Sequence, residues 1–136
     1  MTVLIDTNVV LDYILKRDPF AENARQCIEG LISNNSKIFL TASTVTDIYY
    51  IVRRQLSDNV LAKDVVSKLL VAFNLAAVDK NDCLNALATD ISDYEDALVS
   101  VCAKKVKATY ILARNAKHFQ NSYVKPILPD ELLKQL

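Results

Sequence analysis

The chain has 136 residues, 51% of them hydrophobic, and its sixteen basic and sixteen acidic side chains cancel to zero formal charge. That length suits a single domain over residues 1–136, and the charge balance excludes a protein that coats nucleic acid by bulk attraction. One glycine and three prolines argue against a turn-rich all-β fold, no apolar run reaches a membrane span, and residues 1–15 lack a secretory signal pattern, so a cytoplasmic location away from membranes is expected.

Val3-Leu4-Ile5 is a short continuous apolar run and reads as a strand buried on both faces. It ends on Asp6, after which Thr7 and Asn8 can cap a helix whose apolar face is Val9 or Val10, Tyr13 and Ile14. A carboxylate at the end of a parallel strand sits where open α/β sheets bind ligands. Asp6 is therefore either a simple cap or the first acid of a site. After the loop Lys16-Arg17-Asp18-Pro19, residues 20–34 place Phe20, Ala24, Cys27 or Ile28, Leu31 and Ile32 at helical spacing.

Lys37 to Thr41 reads as a second strand, followed by Ser43 as N-cap of a helix over 44–55. Val45, Ile48, Tyr49 and Val52 mark its apolar face, Arg53 and Arg54 suit its carboxyl end, and Asp47 lies about one turn in. Residues 59–73 form a packing helix with Leu61, Val65, Leu69 and Phe73 in step. Leu75 to Val78 is a third strand, and Asp79 and Asp82 have the spacing of a helix cap.

The segment Asp90 to Leu98 is a second concentration of acids. Ser92 or Asp93 can cap the helix through Leu98, Val101 and Cys102, but capping accounts for only one or two of these acids, and the others repel unless a cation neutralises them. Asp96 begins the apolar face, which aims it at the sheet edge. Thr109 to Leu112 is a fourth strand, leading into the basic loop Ala113 to Phe119. Val124 to Leu128 suits an edge strand carrying Pro126, and Pro129 opens a last helix. Cys27, Cys83 and Cys102 are odd in number and set in helical patterns, so they read as small hydrophobes and not as a disulfide or zinc framework.

Strands alternating with helices imply an α/β fold with a parallel sheet, its strand ends all on one side. Asp6, the start of the Asp47 helix, Asp93 to Asp96 and Asn115 all fall on that side. Clustered carboxylates there suit a hard divalent cation, and the reaction such an ion serves is phosphodiester hydrolysis.

Leu4 to Asp12, Ser43 to Tyr50, Asp93 to Leu98 and Tyr110 to Phe119, in that order and at those spacings, resemble the PIN-domain ribonucleases, with the closest likeness to VapC-like toxins of toxin-antitoxin pairs. The resemblance implies a three-layer α/β/α sandwich on a parallel sheet of four or five strands, a homodimer, an antitoxin partner, and Mg²⁺- or Mn²⁺-dependent endonucleolytic cleavage of RNA. By it, Asp6, Asp47 and Asp96 are the metal-binding acids, Asn115 completes the catalytic set, and Asp93 positions a water. Arg114, Lys117 and His118 would meet the RNA, and Thr7 and Asn8 support the site.

Two departures stand out. Asp47 falls where the family usually has a Glu, and Asn115 falls where many members have an Asp, with Ala113 in place of a hydroxyl residue two positions earlier. Three other readings compete with the ribonuclease. A catalytically silent relative would bind RNA or a protein partner without cutting. A receiver-type phosphoacceptor would use Asp79, although Asp6-Thr7 is not the acid pair such domains need. A haloacid-dehalogenase-type phosphatase would need an Asp where Asn8 stands.

Overall fold

The computed structural model describes residues 1–136, and its strands are β1 (Thr2–Ile5), β2 (Lys37–Thr41), β3 (Asn74–Ala76), β4 (Tyr110–Leu112) and β5 (Pro126–Ile127). They form one parallel sheet in the order β3-β2-β1-β4-β5. The chain builds outward from β1 to β3, then returns to lay β4 on the other side of β1. Strand order therefore reverses between β1 and β4, and the crevice that this opens lies at their carboxyl ends. The Asp6 amide donates to the Leu112 carbonyl at 2.9 Å, so the first residue past β1 is tied to the end of β4 at the reversal.

Alternation along the strands feeds two apolar layers. Val3, Ile5, Ile38, Leu40 and Leu112 face one core, shared with α1 (Thr7–Ile14), α2 (Ala21–Ser33), α3 (Ala42–Leu56), α4 (Asn59–Ala72) and α7 (Pro129–Leu133). Leu4 and Ile111 face the other, packed against α5 (Lys80–Leu87) and α6 (Tyr94–Lys105). The result is the expected three-layer sandwich. α6 is the most deeply set helix, buried continuously from Ala97 to Ala103. Cys27 and Cys102 are buried and Cys83 half-buried, all three as free thiols, and burial pushes the Cys27 thiol up to about 12 and the Cys102 thiol up to about 11. No helix is long and apolar enough to cross a membrane.

Several local expectations move. α3 starts at Ala42, and its N-cap is Thr41, whose hydroxyl accepts from the Thr44 amide at 3.2 Å; Ser43 lies inside the first turn. Thr41 serves both as the last strand residue and as the cap, so the strand runs into the helix with no loop. α1 starts at Thr7 itself, which puts Asp6 in the cap position and leaves Thr7 and Asn8 inside the helix. β3, β4 and β5 are shorter than their apolar runs, because Val78, Thr109 and Val124 lie beyond the paired register. Phe20, Ile32 and Leu61 are in helical step but exposed.

Asp79 and Asp82 form a reciprocal capping box on α5, as their spacing predicts. Lys105 on α6 closes on Asp82 at 2.7 Å and locks α5 to α6. That contact and the Asp79 amide hold the Asp82 carboxyl below its ordinary value of 3.8. A depressed carboxyl stabilises the fold above its unfolded pKa and loses that contribution as pH falls through the folded value. Asp82→Asn should therefore flatten the decline of stability below pH 3.8, and Asp79→Ala should cost about 1 kcal/mol at neutral pH. Urea denaturation at a series of pH values reads both.

Candidate active site at the carboxyl edge of the sheet

A cleft of about 450 Å³ opens at the strand reversal, lined by Asp6, Thr7, Asn8 and Leu11 from the first turn region, Asp47, Tyr50 and Ile51 from α3, Asp93, Glu95 and Asp96 at the start of α6, and His118. Five carboxylates from three separate parts of the chain share this one space. Asp6 occupies an N-cap position yet its side chain makes no capping hydrogen bond, so its carboxylate is left for the cleft. Asp93, by contrast, caps α6 by accepting from the Asp96 amide at 3.0 Å.

Threonine hydroxyls fix the first two acids relative to each other. Thr7 Oγ1 donates to Thr44 Oγ1 at 3.2 Å, and the Thr44 and Thr41 hydroxyls hydrogen-bond at 2.8 Å. All three residues are buried. The bonds join the amino ends of α1 and α3, the helices that follow adjacent strands, and so set the spacing between Asp6 and Asp47. Thr7 thus ties the start of α1 to that of α3 through a side-chain contact 37 residues along the chain.

The electrostatics are those of negative charge in excess. Burial, followed by the neighbouring Asp47, Asp6 and Asp93, pushes the Glu95 carboxyl up to about 7. Burial and the charges of Asp93 and Asp6 raise Asp96 to about 6, with His118 pulling back. Asp6 is raised by desolvation, against the Thr7 and Asn8 amides and the charges of His118 and Arg114. Glu95 was missed from sequence as a site residue, although the surplus of acids beyond those needed for capping was its signal.

Asn115 does not line the acid cleft. Its Oδ1 accepts from the Lys117 amide at 3.2 Å, which fixes the orientation of the side-chain amide, and its Nδ2 lies 3.1 Å from His118 Nε2. The other ring nitrogen, Nδ1, faces Asp96 Oδ2 at 3.8 Å. Lys117 and His118 border a second hollow with Asp93 and Asp96. Arg114 is already engaged: Nη1 reaches Asp12 Oδ1 at 3.3 Å, and its guanidinium lies 4.2 Å from the Phe20 ring centroid. Asp12, almost fully buried, also takes Arg17 at 2.9 Å. Asp79, the phosphoacceptor of the receiver reading, lies outside the cleft in its capping box.

The PIN domain family model matches residues 2–117. The chain belongs to the PIN-domain family. Among solved structures, the PIN fold of this chain is matched by a chain of FitAB bound to an IR36 DNA fragment, at TM-score 0.76 and 20% identity, covering 93% of this chain and 94% of that one. A chain of VapBC2 from Rickettsia felis, bound to a DNA fragment from its promoter, matches at 0.71 and 15%, covering 94% and 98%. A chain of FitAcB from Neisseria gonorrhoeae matches at 0.71 and 18%, covering 93% and 97%. These likenesses confirm the parallel sheet and its flanking helices. No curated protein matches the sequence.

The donors of this PIN domain fit a hard divalent cation in kind. They are carboxylate oxygens, their shared charge is unbalanced, and Mg²⁺ takes one or two carboxylates directly and completes its shell with water. No three acid, histidine or cysteine side chains converge into a preformed cage.

Two outcomes test the site's construction. Thr44→Val leaves the Thr7 and Thr41 hydroxyls facing an apolar group and should cost about 1–3 kcal/mol in urea denaturation. Glu95 holds a proton in the folded chain between its ordinary 4.5 and about 7, so with chelator present stability falls as pH rises across that interval. Glu95→Gln should reduce that fall, leaving the part due to Asp96, and melt higher than the parent at pH 8. An unchanged slope would remove Glu95 from the charged cluster.

Proposed function

We propose that this PIN domain is an Mg²⁺- or Mn²⁺-dependent endoribonuclease and the toxin half of a toxin-antitoxin pair. The observation that carries the nuclease reading is the convergence of Asp6, Asp47, Asp93, Glu95 and Asp96 on one cleft at the strand reversal, within a family of nucleases. The toxin reading is supported by the complexes whose chains share the fold, among them a toxin-antitoxin complex from Klebsiella pneumoniae, matched at TM-score 0.70 and 17% identity.

Asp6, Asp96 and Asp47 would hold the cation. When bound, it supplies electrostatic stabilisation of a phosphoryl group under attack and acidifies a water. Asp47, one methylene shorter than Glu, reaches through water. Asp93 combines its cap with orientation of water beside Asp96. His118, held beside Asn115 with Nδ1 toward Asp96, lines the cleft where a phosphate would arrive. Lys117 meets the RNA backbone beside it. The Thr7 and Thr44 hydroxyls keep the two helix starts from drifting apart.

Labelled single-stranded RNA should be cut in Mg²⁺ or Mn²⁺, left intact with chelator, and cut at least about a hundredfold more slowly by Asp6→Asn or Asp96→Asn with unchanged circular dichroism. Expression of the wild type should slow growth, and Asp6→Asn should relieve it. Cleavage that persists in chelator or in both variants would sink the mechanism. RNA binding without any cleavage by the wild type would favour the catalytically silent relative, a reading that the Asn115 and Ala113 departures support.

A further inference from the structure

α3 carries Asp47, Tyr50, Ile51 and Arg54 at positions i, i+3, i+4 and i+7, a single stripe along the helix. The first three line the acid cleft. Tyr50 is also a wall of the adjoining hollow of about 540 Å³, which it shares with Arg53, Arg54, Ser57 and Asn59 at the carboxyl end of α3. One tyrosine therefore separates an acidic space from a basic one.

The two neighbouring tyrosines have different fates. Tyr49 packs against the core, while Tyr50 is 61% exposed. The rings meet edge to face, with centroids 5.1 Å apart and planes at 72°, so the half-buried ring of Tyr49 braces the exposed one. Arg53 donates through Nε to the Asn59 side chain at 2.7 Å. Arg54 has no hydrogen-bond or ion-pair partner, and it lies about 10 Å along the helix from Asp47. A polyanion approaching five carboxylates needs cations beside them, and the basic loop provides fewer than its sequence suggests, because Arg114 is spent on Asp12 and Phe20.

We infer that the strand flanking the cleaved phosphate crosses Tyr50, which stacks on one unpaired base, and is held at a neighbouring phosphate by Arg54. This rests on the ribonuclease reading. A braced, solvent-facing ring selects single-stranded RNA, since a base must leave its own stack to cover it. Arg54 contributes charge without sequence preference.

The test measures binding of a fluorescein-labelled single-stranded RNA to the Asp96→Asn protein, which holds the strand uncut, by fluorescence anisotropy over a salt series. Tyr50→Leu should weaken binding roughly five- to a hundredfold, with Tyr50→Phe binding like its parent. Arg54→Gln should lower the slope of log affinity against log salt by about 0.7, and Arg54→Lys should keep it. Affinity and slope unchanged in Tyr50→Leu and Arg54→Gln overturn the inference, as does a parent that binds no RNA. A Tyr50→Leu protein that sediments at a lower mass with unaltered RNA affinity also overturns it, by making Tyr50 a contact between copies. Wild-type cleavage is scored separately: RNA that is bound through Tyr50 and Arg54 but never cut would end the nuclease reading and leave this one standing.

Discussion

The gathering of five carboxylates in one partly desolvated cleft is the constraint that the surrounding structure has to meet. Glu95 at about 7 and Asp96 at about 6 are raised first by burial and then by the neighbouring carboxylates, so the protein holds these groups where the ionised form is disfavoured. Such crowding costs stability, and the surrounding structure has to resist its relief by outward movement. The sheet does so through the Asp6 amide bond to the end of β4, and the helix layer through the buried Thr7-Thr44-Thr41 hydroxyl chain. α6 contributes by depth: with every residue from Ala97 to Ala103 buried, its amino end cannot tilt away from the acids that it presents. The amino-terminal poles of α1 and α6 point into the same space, and their partial positive charge offsets part of the repulsion.

The fold was legible because its central strands are buried on both faces and most of its helices on one, so apolar runs and helical spacing separate cleanly in a chain with one glycine. Capping was harder to read. Ser43 was the expected cap of α3, but Thr41 ends β2 and has the same capping chemistry, and a strand that turns directly into a helix leaves no loop residues to mark the boundary. Exposed Phe20 has a related cause. Helical spacing places it on the apolar stripe, but Arg114, remote in sequence, lies over its ring and makes that position a partly open cation-π contact.

The acids divide along similar lines. Asp6 and Asp96 could be read because each sits where a strand end or an apolar face gives its direction. Glu95 could not be assigned in the same way: one residue before Asp96, it lies on another side of a regular helix, yet at the first turn both side chains border the cleft. Asp12 and Arg114 form their ion pair across 102 residues, a contact that no local pattern encodes. Asn115, assigned from its motif position, acts on the site through His118 because its carbonyl oxygen is occupied by the Lys117 amide.

Side-chain length ties the departures together. Under the ribonuclease reading, an Asp at position 47 leaves the α3 side of the cleft one methylene short. Glu95 approaches that side from the opposite helix, near enough for Asp47 to be the largest of the charges raising its pKa. The longer side chain on α6 therefore extends into the space that the shorter one on α3 leaves open. With its pKa raised to about 7, by burial first and by Asp47 next, Glu95 holds its proton over part of the neutral range. The fold then tolerates five carboxyl groups in one cleft without having to carry five negative charges at once.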